Sequence, residues 1–364
     1  MGHEIDFLPV GEGERSGDAI ALRFGDLSNG NQKVVVIDGG FKQTGEDLVN
    51  HIRKFYGTSV VDLAISTHPD ADHCGGLQVV LERLTVRELW LHRPWQHTND
   101  IARMFHDGRI TDNSIRDALR RSLDNARELE RIADQKDVLI REPFMGIHDQ
   151  TGSICVVGPT KDFYEQLLPE FRGTPEPASS TGLVGRIAIS LREAVHRVPE
   201  TFHIETLTDE GETSAENNSS AIVLFVADDE YHLFTGDAGT PALAAACDVL
   251  RSVGVTASDL SFVQVPHHGS RHNVGPTVLD ELLGPKVATD EKLKSAFASV
   301  SKEGEPKHPA KQVTNAFRRR GAYVYQTNGK GVCHHRNAPE RPGWSSAEPI
   351  PFYSEVEHWE SVDG

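Results

Sequence analysis

Hydrophobic positions along this chain come in short, separated runs. "AIALRF" (19–24) and "KVVVID" (33–38) are strand-like, and the polar "GDLSNGNQ" between them carries the hairpin signal Asn29-Gly30. The period then changes. In "TGEDLVNHIRKFYG", Leu48, Ile52 and Phe55 share one side and Gly57 stops the helix. "VDLAIST" is the next strand, followed by a helix over Gly76 to Leu84 and the strands "RELWL" and "SICVVG". "SSAIVLFVADDEYHLFTGD" is a hairpin turning at Asp228-Asp229. The helix "TPALAAACDVLRSVG", the strand "SFVQV", a helix from about Pro309 to Arg320 and the strand "AYVYQTN" complete the pattern. Strands paired by hairpins with helices between them predict an α/β fold.

Two stretches interrupt this order. Residues 95–137 read as a helical insertion in which Ile115, Leu119, Leu123, Ala126 and Leu129 form one stripe, a packing surface or a contact for a partner protein or homodimer. Residues 160–216 are irregular, and mobility is expected there. The expected organisation is one domain over residues 1–336 containing both insertions, then a patternless tail, 337–364.

No apolar run approaches the roughly 18–20 residues that span a bilayer, and the N-terminus is acidic where a signal peptide is basic. A soluble, cytoplasmic protein without a membrane partner is expected. Cys74, Cys155, Cys247 and Cys333 lie far apart, which fits a reducing compartment. The formal net charge of −17 disfavours sequence-blind attraction to nucleic acid. Basic residues nonetheless dominate from Lys286 to Arg336, with Arg318 to Arg320 consecutive, while "DEGETSAE" (209–216) is acidic. Both read as solvated surface, or the basic stretch as a lip on a cleft for an anionic substrate.

The chemistry concentrates at strand ends. "STHPDADHCGGL" (66–77) places His68, Asp70, Asp72 and His73 after a core strand and before Gly75-Gly76, where absent side chains let backbone pass close. Such groups are costly to bury without a cation. Their mixed nitrogen and oxygen donors suit zinc, manganese or iron. Similar polar clusters end other strands: Asp38-Gly39-Gly40, Gly236-Asp237 and "PHHGSRHN" (266–273).

The motif resembles the signature of the metallo-β-lactamase superfamily, His-x-His-x-Asp-His, with Asp70 in place of the second histidine. With "IDGG", "NNSSAIVLF", "FTGD", "PHHGS" and "KHP" in order, the chain is most similar to the nuclease domain of the competence protein ComEC, over roughly residues 1–92, 150–160, 216–275 and 300–333. The resemblance implies a metallo-β-lactamase αββα sandwich with helical insertions and two divalent metal ions, zinc or manganese. It implies that His68 and Asp70 hold the first ion, Asp72 and His73 the second, that Asp237 bridges them, and that His267 or His268 completes the second site. Asp38 is implied to be structural. No histidine stands near "VVGPT" where the superfamily has one; His92 is a candidate to fill that gap.

A dinuclear centre of this kind activates water for attack on phosphorus. The expected activity is a metal-dependent phosphodiesterase or nuclease acting on DNA, with Asp72 or Asp237 as proton acceptor, His308 as candidate acid, and Ser270, Arg271, His272 and Asn218 as candidate phosphate contacts. A small ester, lactone, lactam or cyclic nucleotide is the alternative substrate. A metal-stabilised interaction protein without turnover is the alternative of another class. A free-standing nuclease of this type would suit a toxic effector of bacterial defence.

Overall fold

A computed structural model describes residues 2–11, 15–99, 101–105, 107, 109–175, 193–302 and 308–361. Two sheets dominate. The first orders seven strands as Val332–Arg336, Gly2–Phe7, Ala19–Asp26, Asn31–Gly39, Leu63–Ile65, Glu88–Trp90 and Leu139–Arg141. The second orders six as Ala322–Gln326, Lys294–Ala298, Leu260–Gln264, Glu230–Phe234, Ile222–Ala227 and Ile154–Gly158.

Alternation along the strands decides what each face meets. Ile5, Phe7, Ile20, Leu22 and Ile37 of the first sheet point at Val223, Phe225, Phe234, Phe262 and Phe297 of the second, and this apolar layer joins the sheets. The opposite face of the first sheet, with Ala21, Val34 and Val36, packs under the helices Lys42–His51 and Ala71–Arg83. The outer face of the second sheet packs under the helices Thr240–Ser252, Pro276–Leu283 and Lys311–Arg319. Burial on both faces explains why runs such as "KVVVID" show no polar alternation. The layers follow the αββα order, as the sequence implied.

Strands Asn31–Gly39, Leu63–Ile65 and Glu88–Trp90 run parallel, as do Glu230–Phe234, Leu260–Gln264 and Lys294–Ala298. Their carboxyl ends therefore deliver polar loops to one edge of the sandwich, where open α/β sheets bind ligands.

Several expectations are corrected. The helical insertion is two helices, Asp112–Ser122 and Asp124–Gln135, broken at Leu123 (φ −116°, ψ 48°). All five stripe residues are fully buried in the core shared with the helix Ala71–Arg83, so the stripe is internal packing and offers no face to a partner or a second copy. Arg318 to Arg320 form neither a solvated surface nor a lip. Arg319 and Arg320 are wholly buried: Arg319 donates to the carbonyls of Thr201, Phe202 and Ile204, and Arg320 pairs with Glu205 and Asp280. Arg318 pairs with Asp290 at 2.8 Å.

The acidic loop is tied down as well. Asp209 accepts hydrogen bonds from Thr277 N and Oγ1 at 3.0 and 2.7 Å. The tail is patterned after all: Glu355–Ser361 pairs antiparallel with Glu193–Pro199, and Arg341 Nη1 and Nη2 donate to Asp6 at 2.6 and 2.8 Å. The four cysteines are free. Among the described residues no helix is long and apolar enough to cross a membrane.

Candidate metal centre

Each donor owes its position to an element end. Asp38 closes the strand Asn31–Gly39 with φ 55°, a left-handed conformation that aspartate tolerates better than most residues. Its carboxylate accepts from Thr67 N at 2.8 Å and Thr67 Oγ1 at 2.6 Å, which fixes the loop leaving the strand Leu63–Ile65, and lies 2.8 Å from His73 Nδ1. Asp70 begins the helix Ala71–Arg83, whose first turn carries Asp72 and His73. That helix crosses close to a strand end: a Cβ on Gly76 would lie 2.0 Å from the Gly39 carbonyl oxygen. Gly76 is thus required for the approach that presents His73.

The second sheet supplies the rest. Gln264 Oε1 accepts from Thr235 N and Gly236 N at 3.0 and 3.1 Å, holding the turn that presents Asp237. His267 and His268 both adopt left-handed backbone, φ 46° and 57°, uncommon for residues of this size and found most often at functional sites.

Asp237 lies at the centre. Its Oδ2 is 3.8 Å from His68 Nε2 and 3.4 Å from His267 Nε2, and its Oδ1 is 3.4 Å from His73 Nε2. His68 Nε2 is also 3.7 Å from Asp70 Oδ2. Asp72, His73 and His268 bring donor atoms within 4.8 Å of one another, as do Asp237, His267 and His268.

These side chains fit metal ions better than one another. His68 Nε2, His73 Nε2, both ring nitrogens of His268 and Asp237 Oδ1 are buried without a hydrogen bond. Each such atom costs about 1–3 kcal/mol if left unsatisfied. The separations are long for hydrogen bonds; donors that share an ion at roughly 2.0–2.2 Å each lie about 3–4 Å apart.

Electrostatics points the same way. Burial opposes charge on His73, yet the carboxylates of Asp237 and Asp38 raise its pKa well above the ordinary value. Burial, with the like charges of Asp237 and Asp38, pushes Asp18 up to about 8 against the pull of His73. Asp237 is held well below the usual range despite its burial, by His267, His73 and His268. The carboxyl groups of Asp18, Asp38, Asp70, Asp72 and Asp237 gather with the imidazoles of His68, His73, His267 and His268, and with Arg172 on Asp70, a mixed oxygen and nitrogen donor set of the kind that holds divalent cations.

The structure thus brings together His68, Asp70, Asp72, His73, Asp237, His267 and His268, with Asp38 behind them. Asp70 also faces Arg172, whose guanidinium lies 2.6 Å from its Oδ1. His308 neighbours the cluster, its ring 6.2 Å from that of His267. Arg271 is half-buried and His272 exposed. Ser270 and Asn218 are buried; Ser270 Oγ accepts from His272 N at 3.3 Å, and Asn218 Nδ2 donates to Thr213 O at 3.4 Å. His92 stacks on Tyr164 at 4.5 Å with the Phe144 ring tilted against it at 4.8 Å, and among the described residues it belongs to none of the metal-capable groupings.

Sequence reasoning missed three residues. Asp18 is buried, 3.7 Å from His73 Nδ1 and from His268 Nδ1, and accepts from Gln264 Nε2 at 2.7 Å. A signal existed: Gly17-Asp18-Ala19 repeats Gly236-Asp237-Ala238. Asn273 Oδ1 lies 2.8 Å from His267 Nδ1 while its Nδ2 donates to the Asp237 carbonyl at 2.7 Å, so one amide orients two donors. Arg172 lies in the irregular insertion and had no signal.

No family model matches the sequence, and no curated protein matches it. Among solved structures, the chain is similar to yeast PDE1 at 10% identity over 89% of this chain and 97% of that one, with a TM-score of 0.43. It is also similar to the metallo-β-lactamase fold protein YhfI from Bacillus subtilis, at 9% identity over 92% and 100%, with a TM-score of 0.38. A third is a putative metallo-β-lactamase from Thermotoga maritima, at 11% identity over 65% and 79%, with a TM-score of 0.33. The chemistry is read from the side chains of this chain.

Proposed function

We propose that this chain is a metal-dependent hydrolase of phosphodiesters, DNA foremost. The observation that carries the reading is the buried set of imidazole and carboxylate atoms around Asp237 that face one another without hydrogen bonds. His68 lies beside Asp70 and, like His267, faces Asp237 Oδ2; Asp72, His73 and His268 form one close grouping, with Asp237 Oδ1 turned to His73, and Asp237, His267 and His268 form another. These groups would hold two divalent cations, zinc or manganese, one on each side. Bound there, such a pair lowers the pKa of a water towards neutrality and offsets charge on attacking and leaving oxygens.

The remaining work falls to the chain's own residues. Asp72, at the cluster's half-exposed rim, accepts the proton of the attacking water. His308, whose ring lies 6.2 Å from that of His267, donates a proton to the leaving oxygen. Arg271 and His272 stand on the loop beside His267 and His268 for phosphate contact. The resemblance of the motif series to the ComEC nuclease domain supports DNA. The charge of −17 disfavours a broad nucleic-acid surface and favours a compact substrate, a cyclic nucleotide or small ester, as the second reading.

Protein stripped with chelator and reloaded with zinc or manganese should cleave single- or double-stranded DNA, and the Asp72→Asn variant should not. Turnover of cyclic nucleotides alone would move the assignment to the second reading. Hydrolysis of nothing in a broad panel, with metal bound, would overturn both and leave an interaction protein.

A further inference from the structure

A second cluster of imidazoles lies at the opposite end of the sandwich. His3 on the strand Gly2–Phe7, His334 on its neighbour Val332–Arg336 and His232 on the strand Glu230–Phe234 bring ring nitrogens within 4.8 Å of one another. Two belong to the first sheet and one to the second. His334 sits opposite Ile5 in the register, which sets it diagonal to His3 on the face between the sheets. His3 and His232 are wholly buried.

Among the described residues, three nitrogens of these rings have no hydrogen-bond partner. Neither nitrogen of His3 has a hydrogen bond, and nor does Nε2 of His232. The surroundings are apolar, with Phe225 5.7 Å from His3 and Phe262 5.2 Å from His334, so unpaired imidazole nitrogens are costly here. His232 Nδ1 lies 3.3 Å from the Phe225 carbonyl, which places the proton on Nδ1 and turns the Nε2 lone pair inward, the arrangement metal-bound histidines adopt. Glu230 Oε2 lies 3.9 Å from His3 Nε2 and from His232 Nε2, while its Oε1 is held by Arg336 at 2.6 Å. Burial holds all three imidazoles below their ordinary pKa, hence neutral and able to ligate.

We propose that His3, His232 and His334, with Glu230 as fourth ligand, form a structural zinc site that staples the two sheets together. Three imidazoles and one carboxylate are a closed tetrahedral set for zinc. The site is independent of the Asp237 centre, although one strand serves both: His232 lies within it and Asp237 just beyond its end.

Crystals of the unaltered protein grown with zinc, measured at the zinc absorption edge, should show an anomalous peak among His3, His232 and His334. Peaks confined to the Asp237 centre, or no peak at all, would overturn the proposal, whereas a peak here alone would refute only the catalytic reading. The Asp237→Asn variant supplies a solution test with the catalytic centre disabled. Zinc should raise its melting temperature, and adding His232→Phe, which keeps an aromatic ring beside Phe225 and Phe262, should abolish that rise. A rise of equal size in the double variant would overturn the proposal, because the rings would then be packing as aromatics only.

Discussion

Asp237 and Asn273 divide the labour of ligation and alignment at the centre of the cluster. Asp237 faces His68 and His267 through Oδ2 and His73 through Oδ1, so Asp237→Asn should cost more than about 100-fold in metal affinity and activity, as metal titration with a phosphodiester assay would show. Asn273 touches no reacting atom; it is a positioning residue, fixing the His267 ring and the Asp237 backbone together. Asn273→Ala should therefore weaken metal binding by about 10–100-fold, while Asn273→Asp, which keeps an acceptor for His267, should recover part of the loss. A purely structural role would instead lower the melting temperature in metal-free protein without moving the metal affinity. Most of the proposed ligands stand out in the sequence because they are clustered, as in His68 to His73 and His267-His268. Arg172 comes from an isolated position to which only folding gives neighbours, whereas Asp18 carried a faint signal in the repeated Gly-Asp-Ala.

Elements carry the site through close backbone approach and buried ion pairs. Gly76 lets the helix Ala71–Arg83 lie against Gly39, so Gly76→Ala should destabilise the fold by at least about 2 kcal/mol in denaturant unfolding. The tail is fastened through Arg341, which reaches both Asp6 and Glu4 at 2.6–2.8 Å. Burial would raise the Asp6 pKa, but hydrogen bonds from His51 and Arg341 hold it well below the usual range. Removing the guanidinium strands buried carboxylates, and Arg341→Ala should cost about 3–5 kcal/mol at pH 7. Because the folded pKa of Asp6 is depressed, its contribution is complete above the unfolded value of about 3.9 and fades as pH falls through it. The gap between wild type and Arg341→Ala should accordingly narrow below about pH 4 in unfolding curves. Periodicity located the helices and strands well, but it could not tell a surface charge run from a buried one. Arg319 and Arg320 look solvated in sequence and are interior because Glu200, Glu205 and three carbonyls converge on them. The stripe from Ile115 to Leu129 likewise gives its period but not what it packs against.

At the scale of the molecule, two mixed sheets present one edge rich in carboxylates and imidazoles, and an interior otherwise filled with Ile, Val and Phe. Such an interior tolerates so many titratable groups only if something offsets their charge and fills their lone pairs. Strand and helix spacing gave an α/β fold, and the αββα order came from the family that the motif series resembles. The paired tail strand did not, since pairing between residues 193–199 and 355–361 is a long-range property that neither segment shows alone. The most direct test is the metal content of zinc-saturated wild type compared with the His68→Ala/His73→Ala double variant, by mass spectrometry on folded protein. A difference of two equivalents is predicted, one for each side of Asp237; equal metal content in the two proteins would contradict the account.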